Sequence, residues 1–143
     1  MKKQMRLSLL LKMVNNLFER ELNNKVSLMD LTHAQCRILG YLDRNRDKDT
    51  YLNDIEKEFH LKRPTVSGII KRLEEKEFII VEPKYDDRRY KKVILTDKSE
   101  EILELMQENL ENTENTLYKN LTQYDKDELY RILSIIFNTM NEG

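Results

Sequence analysis

Apolar residues recur at three- and four-residue steps along most of the chain, with one interval where they run together instead. From about Met5 to Leu22, the residues Leu7, Leu10, Leu11, Val14, Leu17 and Phe18 form a broad stripe on one helical face, and Asn23-Asn24 marks the expected end of that helix. Leu31-Thr32-His33-Ala34-Gln35 opens a second helix. Thr32 and Gln35 stand at capping-box spacing, each side chain able to satisfy the other residue's backbone N–H, and Cys36, Leu39 and Leu42 point to a core. The polar run from Asp43 to Thr50 predicts a surface loop. Tyr51 to Phe59 predicts a short helix with Leu52, Ile55 and Phe59 inward, and His60-Leu61-Lys62 a tight turn. Pro64 then falls in a first helical turn, where a missing N–H costs nothing. The helix it opens turns Val66, Ile69 or Ile70, and Leu73 inward and ends near Lys76-Glu77.

Beyond this helix the periodicity changes. Phe78-Ile79-Ile80-Val81 and Val93-Ile94-Leu95 predict two strands on either side of a turn that holds Asp86, Asp87, Arg88 and Arg89. Thr96 is the expected cap of a long helix from Asp97 to about Leu121, with Ile102, Met106, Leu110 and Leu117 along one face. Its early Asp97, Glu100 and Glu101 suit the positive end of a helix dipole. Thr122 and Asp125 open a last helix carrying Leu129, Ile132, Leu133, Ile136, Phe137 and Met140. Two short helices joined by a tight turn and followed by a hairpin form a winged helix-turn-helix. The expected fold class is therefore mainly α with a small β-hairpin wing. The first and last stripes are too wide for the elements beside them, so another helix or another subunit has to cover them.

Charge distribution sharpens this picture. The chain of 143 residues has a formal net charge of −1, which by itself points to no polyanionic partner. Between Leu61 and Thr96, however, ten Lys and Arg face six Asp and Glu, a net of +4, whereas from Asp97 onward four cations face eleven anions, a net of −7. A basic middle and an acidic remainder is the footprint of a DNA-contacting module joined to a part that does not touch DNA. With 36% charged and 39% apolar residues the composition is that of a helix-rich protein with much exposed surface. Cys36 is the single cysteine, which excludes an internal disulfide and fits a reducing compartment. The early apolar run Leu9-Leu10-Leu11 is broken by Lys12 and is followed by no small-residue cleavage site, and no stretch reaches the roughly 20 apolar residues that span a bilayer. The expectation is a cytoplasmic protein with no membrane partner.

The helix from Arg63 to Lys76 carries the candidate chemistry. Opposite its apolar face lie Thr65, Ser67, Gly68, Lys71 and Arg72, residue types suited to base edges and phosphates. No Gly-rich phosphate loop and no nucleophile with a neighbouring base is present, so an enzyme is not expected. His33 and His60 are isolated, without a second ligand at metal spacing, and no cofactor is expected. Cys36 sits at an apolar-periodic position inside a helix, which favours a buried small hydrophobe over a reactive thiol.

Three pieces in order, LTHAQ at Leu31–Gln35, RPTVSGIIKRLEEK at Arg63–Lys76 and DDRRYKKVILT at Asp86–Thr96, resemble the MarR family of bacterial winged helix-turn-helix transcription regulators, and the resemblance extends over nearly the whole length. It implies a homodimer whose first and last helices interleave, so that two recognition helices meet one face of a pseudo-palindromic operator in double-stranded DNA, with half-sites ~34–36 Å apart. It divides the chain into a DNA-binding lobe at 31–96 and a dimerisation region at 1–30 and 97–143. In that scheme Thr65, Ser67, Gly68 and Lys71 face bases, Lys62, Arg63 and Arg72 lie near phosphates, and Lys84, Arg88, Arg89 and Lys91 belong to the wing, with the arginines reaching the minor groove. Lys91 and Lys92 alternate in direction, so at most one serves the backbone. The resemblance also implies a small-molecule effector near the hinge between the two regions, with Thr32, His33 and Arg37 as the candidate residues. Many relatives have Gly where Glu77 stands, and a left-handed backbone there strains a Glu. The alternative to DNA binding is a winged-helix module that meets another protein.

Overall fold

The computed structural model describes residues 4–84 and 87–142, and within them every side chain except those of residues 27, 84 and 87–89. In chain order the elements are α1 (Leu7–Val26), a 3-10 turn (Ser27–Met29), α2 (His33–Arg44), β1 (Thr50–Tyr51), α3 (Leu52–Phe59), α4 (Arg63–Glu75), β2 (Ile79–Lys84), β3 (Asp87–Leu95), α5 (Ser99–Leu117) and α6 (Gln123–Asn141). The sheet is antiparallel in the order β1-β3-β2. The winged helix-turn-helix architecture and the β-hairpin are thus as expected, with a third short strand added.

One core holds the lobe together. Ile38 and Leu39 of α2, Ile55 of α3, Val66 and Leu73 of α4 and Ile79 of β2 are almost wholly buried in a single cluster. Burying each such side chain contributes about 1.5–3 kcal/mol, so the three short helices and the hairpin are held by one another rather than by their own propensity. The capping box expected at α2 forms: Thr32 N–H donates to Gln35 Oε1 at 3.1 Å and Gln35 N–H to Thr32 Oγ1 at 3.2 Å. A second joins Thr122 and Asp125 at the start of α6. Helix α1 packs on α5, and Asn109 Nδ2 donates to the Leu22 carbonyl at 3.1 Å.

Several element boundaries differ from the sequence expectation, each for a visible reason. Asn23 and Asn24 do not end α1; it continues to Val26, which is buried in the core. Asp43 to Thr50 is not loop throughout, because Thr50 pairs with Val93 across the sheet and is buried, and α3 starts at Leu52 rather than Tyr51. A strand of two residues is too short for alternation to reveal. Both strands of the wing run further toward its tip than expected, so Asp87, Arg88 and Arg89 stand on β3 and not in a turn, while Asp86 lies outside the described residues. Thr96 does not cap α5: its hydroxyl donates to the Glu77 carbonyl at 2.6 Å, and α5 begins at Ser99 and ends at Leu117 rather than near Leu121. Cys36 is half-buried, and the inward face of α2 is Gln35, Ile38, Leu39 and Leu42.

Among the described residues the two wide stripes are largely uncovered. Leu7, Leu9, Leu10, Leu11, Met13, Val14 and Leu17 of α1 are exposed, and α6 buries no residue at all. Among the described residues, no helix is long and apolar enough to cross a membrane.

Candidate nucleic-acid interface

Helix α4 buries Val66, Ile70 and Leu73, which fixes its rotation and presents the opposite side to solvent. Lys62, Arg63, Thr65, Ser67, Gly68, Lys71 and Arg72 are all exposed. Lys62 stands at the N-cap in extended conformation without a side-chain cap bond, followed by Arg63 and Pro64 in the first turn. The first turn therefore carries free backbone N–H groups and two adjacent cations, a combination that attracts anions.

Gly68 sits at the middle of this exposed side. Its φ is not in the left-handed region, and a Cβ placed on it would meet nothing within 4 Å. Glycine inside a helix costs about 0.5–1 kcal/mol relative to alanine, and neither backbone conformation nor a neighbouring atom of the chain requires it here. The omission leaves a flat patch on which something external can come close to the helix backbone.

The cations differ in how free they are. The Arg63 guanidinium is engaged by Glu56 Oε1 and Asn53 Oδ1, both on α3, and so ties the two helices of the motif together. Lys92 is half-buried and pairs with Asp49 at 3.0 Å, which raises its pKa, whereas Lys91, its neighbour on β3, is exposed. The strand alternation expected for this pair is therefore visible, and Lys91 is the one that is free to meet a phosphate. The side chains of Lys84, Arg88 and Arg89 lie outside the described residues.

A cavity of about 420 Å³ opens where α1, α2 and α5 meet, lined among others by Leu22, Val26, His33, Arg37, Met106 and Asn109. Arg37 lies over the Phe59 ring, 5.0 Å from its centroid. The buried acceptors Asn23 Oδ1 and Asn109 Oδ1, both on residues of this cavity wall, receive no hydrogen bond from the described residues. Of the hinge residues singled out in the sequence, His33 and Arg37 face this cavity, while Thr32 caps α2 and lines a separate groove with Gln35 and Lys76. Cys36 also lines the cavity, and burial pushes its thiol up to about 11 despite the opposing charge of Lys76. Nothing in the sequence marked Asn23 or Asn109 as a cavity residue, since Asn23 read as a helix end and Asn109 as a polar position on a helix.

A model of the MarR family matches residues 29–89. Residues 29–89 thus carry the pattern of that family. Over nearly its whole length the chain has the fold of solved structures: a crystal structure of MarR superposes with a TM-score of 0.84 at 22% identity, covering 99% of this chain and 95% of that one. A mutant MarR from E. coli gives 0.82 at 24% identity, covering 95% and 99%. The S. aureus MepR–DNA complex gives 0.78 at 25% identity, covering 96% and 99%. No curated protein matches the chain. Within this winged helix fold α3 and α4 form the helix-turn-helix and β2 and β3 the wing.

Proposed function

We propose that this chain is a homodimeric, DNA-binding transcription regulator, acting as a repressor on a pseudo-palindromic operator in the cytoplasm and catalysing no reaction. The observation that carries the reading is the exposed side of α4, where Thr65, Ser67 and Lys71 surround a glycine that nothing inside the chain requires. Hydroxyls and a lysine can read base edges in the major groove, and the absent side chain lets the helix approach them. The similarity to a MepR bound to DNA supports the same partner.

Residues 31–96 form the DNA-binding lobe, and residues 1–30 with 97–143 the dimerisation region. Lys62, Arg72, Lys91 and the wing residues Lys84, Arg88 and Arg89 neutralise phosphates or enter the minor groove. Arg63 does so only as far as Glu56 and Asn53 release it. The unpaired apolar stripes of α1 and α6 support dimerisation, since exposed apolar patches of this extent mark association surfaces. An effector in the cavity beside His33 and Arg37 releases DNA by binding one spacing of the two lobes better than the other.

Selection of a random DNA pool by the purified protein tests the reading. Enrichment of an inverted repeat, with affinity that falls steeply as salt rises, is the expected result. A pool that stays random, or binding without salt dependence, would move the hairpin to a protein-binding role.

A further inference from the structure

Lys76 is the residue at which α4 stops. Its backbone N–H still donates to Arg72, and the next residue, Glu77, turns into the left-handed region. Its side chain reaches back across the molecule: Nζ donates to the Asp30 carbonyl and, at 3.2 Å, to Gln35 Oε1. Gln35 is 3% exposed, and the same oxygen already accepts from Thr32 N–H in the cap of α2. Asp30 is itself in the left-handed region with φ 57, at the corner between α1 and α2. One ammonium thus joins the C-terminal end of the recognition helix to a strained corner and a helix cap more than 40 positions away in sequence.

The electrostatics do not explain the contact as a helix stabiliser. A cation suits the C-terminus of α4 but opposes the dipole at the N-terminus of α2, where its acceptors lie. What the contact does fix is geometry. The core residues Val66, Ile70 and Leu73 set the rotation of α4, whereas a bond at its far end sets its tilt against α2 and the α1–α2 corner. That corner is the covalent route from α1 to the lobe.

We propose that Lys76 is a positioning residue for DNA binding, one that holds the end of α4 against the Asp30–Gln35 corner and so fixes the angle at which the recognition helix meets the groove. The inference rests on the reading of α4 as a DNA-contacting helix.

The test uses the full-length chain, an operator selected with the wild-type protein, and the variants Lys76→Met and Lys76→Arg. Fluorescence anisotropy over a salt series should show the Met variant binding about tenfold more weakly, the scale of one lost charge-assisted hydrogen bond. Its slope of log affinity against log salt should equal that of wild type, and its Tm should stay within a few degrees. The Arg variant, which keeps a charged donor, should recover most of the affinity. Equal affinity of Met variant and wild type overturns the proposal. So does a slope reduced by about one, because Lys76 would then be touching a phosphate, and so does a loss of affinity that only tracks a large loss of Tm. If the Met variant does not fold, Lys76→Gln, which keeps a donor at shorter reach, gives the same readouts. Failure of the wild-type chain to select any DNA would instead remove the reading on which the inference stands.

Discussion

Gly68 is the position where the stability of the chain alone and its proposed use pull apart. Replacing Gly68 by Ala adds a methyl group into open space and removes backbone freedom from the unfolded chain, so the helix gains about 0.5–1 kcal/mol. Thermal melting should show Gly68→Ala more stable by a few degrees, on the order of 2–4 °C, while operator affinity falls, because the methyl occupies the surface that approaches the base pairs. A variant both more stable and equally tight would mean that DNA does not come near this backbone. Cys36 is legible in the sequence only as an apolar-periodic position; the structure makes it half-buried, with the thiol pushed by burial up to about 11 from an ordinary 9.0. The thiol form is the one the fold favours, so this contribution to stability is complete below pH 9 and fades as pH rises toward 11. At pH 8 only about one molecule in a thousand would carry the thiolate. Iodoacetamide should therefore label native Cys36 far more slowly at pH 8 than it labels the urea-unfolded chain, and equal rates would overturn the burial argument.

At the scale of elements, α3 and α4 end in the same way. His60 and Glu77 are left-handed, with φ 53 and 65, and the following N–H groups of Leu61 and Phe78 donate to Glu56 and Leu73 carbonyls, each at 3.1 Å. This is the Schellman arrangement, which usually places Gly at the left-handed residue. An L-residue there costs roughly 1–2 kcal/mol, part of which Gly gives back through its greater freedom in the unfolded chain. The exposed ion pair between Glu77 and Lys98, 2.9 Å long, adds little against this. Glu77→Gly should accordingly raise Tm by a few degrees in a calorimetric scan and leave operator affinity alone; a lower Tm would show that the pair and the chain entropy outweigh the strain. The strain at Glu77 was anticipated through the family resemblance, since many relatives have Gly at that place, and the φ of 65 bears it out. Capping boxes and the apolar rows of α2, α3 and α4 were legible because each depends on residues a few positions apart. What the sequence misplaced depends on partners far along the chain. Thr96 read as a cap until Glu77, nineteen positions earlier, was seen to take its hydroxyl. Thr50 read as loop because its strand partner, Val93, lies beyond two helices and the first strand of the wing. The exposed face of α4 was legible as a whole from its apolar complement, whereas the engagement of Arg63 by Glu56 and Asn53 needed the angle between two helices.

At the scale of the whole molecule, one core joins the lobe to Val26 of α1 and to Ile102 and Leu103 of α5, while the apolar stripes of α1 and α6 lie outside it. Leu7 on α1 is 78% exposed, and Phe137 and Met140 on α6 are 66% and 75% exposed, although the pattern of both helices is that of a buried face. Because α1 leans on α5 and α6 on no covering layer, charging the apolar side of α6 tests association without touching the lobe. Ile136→Glu, at a position 44% exposed in the single chain, should convert a dimer of about 35 kDa, twice the 17.3 kDa chain, into monomer in sedimentation equilibrium. Wild-type Tm should rise with protein concentration, as it does whenever folding and association are linked, and the variant's should not. The core of Ile38, Ile55 and Leu73 is remote in character from this face, so the variant's lobe should keep its fold and its contacts to one half-site. Losing the tether between two lobes removes an effective concentration worth about 10²–10⁴ in affinity. A full operator should therefore bind the variant more weakly by a factor in that range, while an isolated half-site binds both proteins alike. A variant that stays dimeric would mean that α6 contributes no essential contact. A monomer that binds the full operator as tightly as wild type would mean that one lobe, with its recognition helix and wing, is the complete DNA-binding unit.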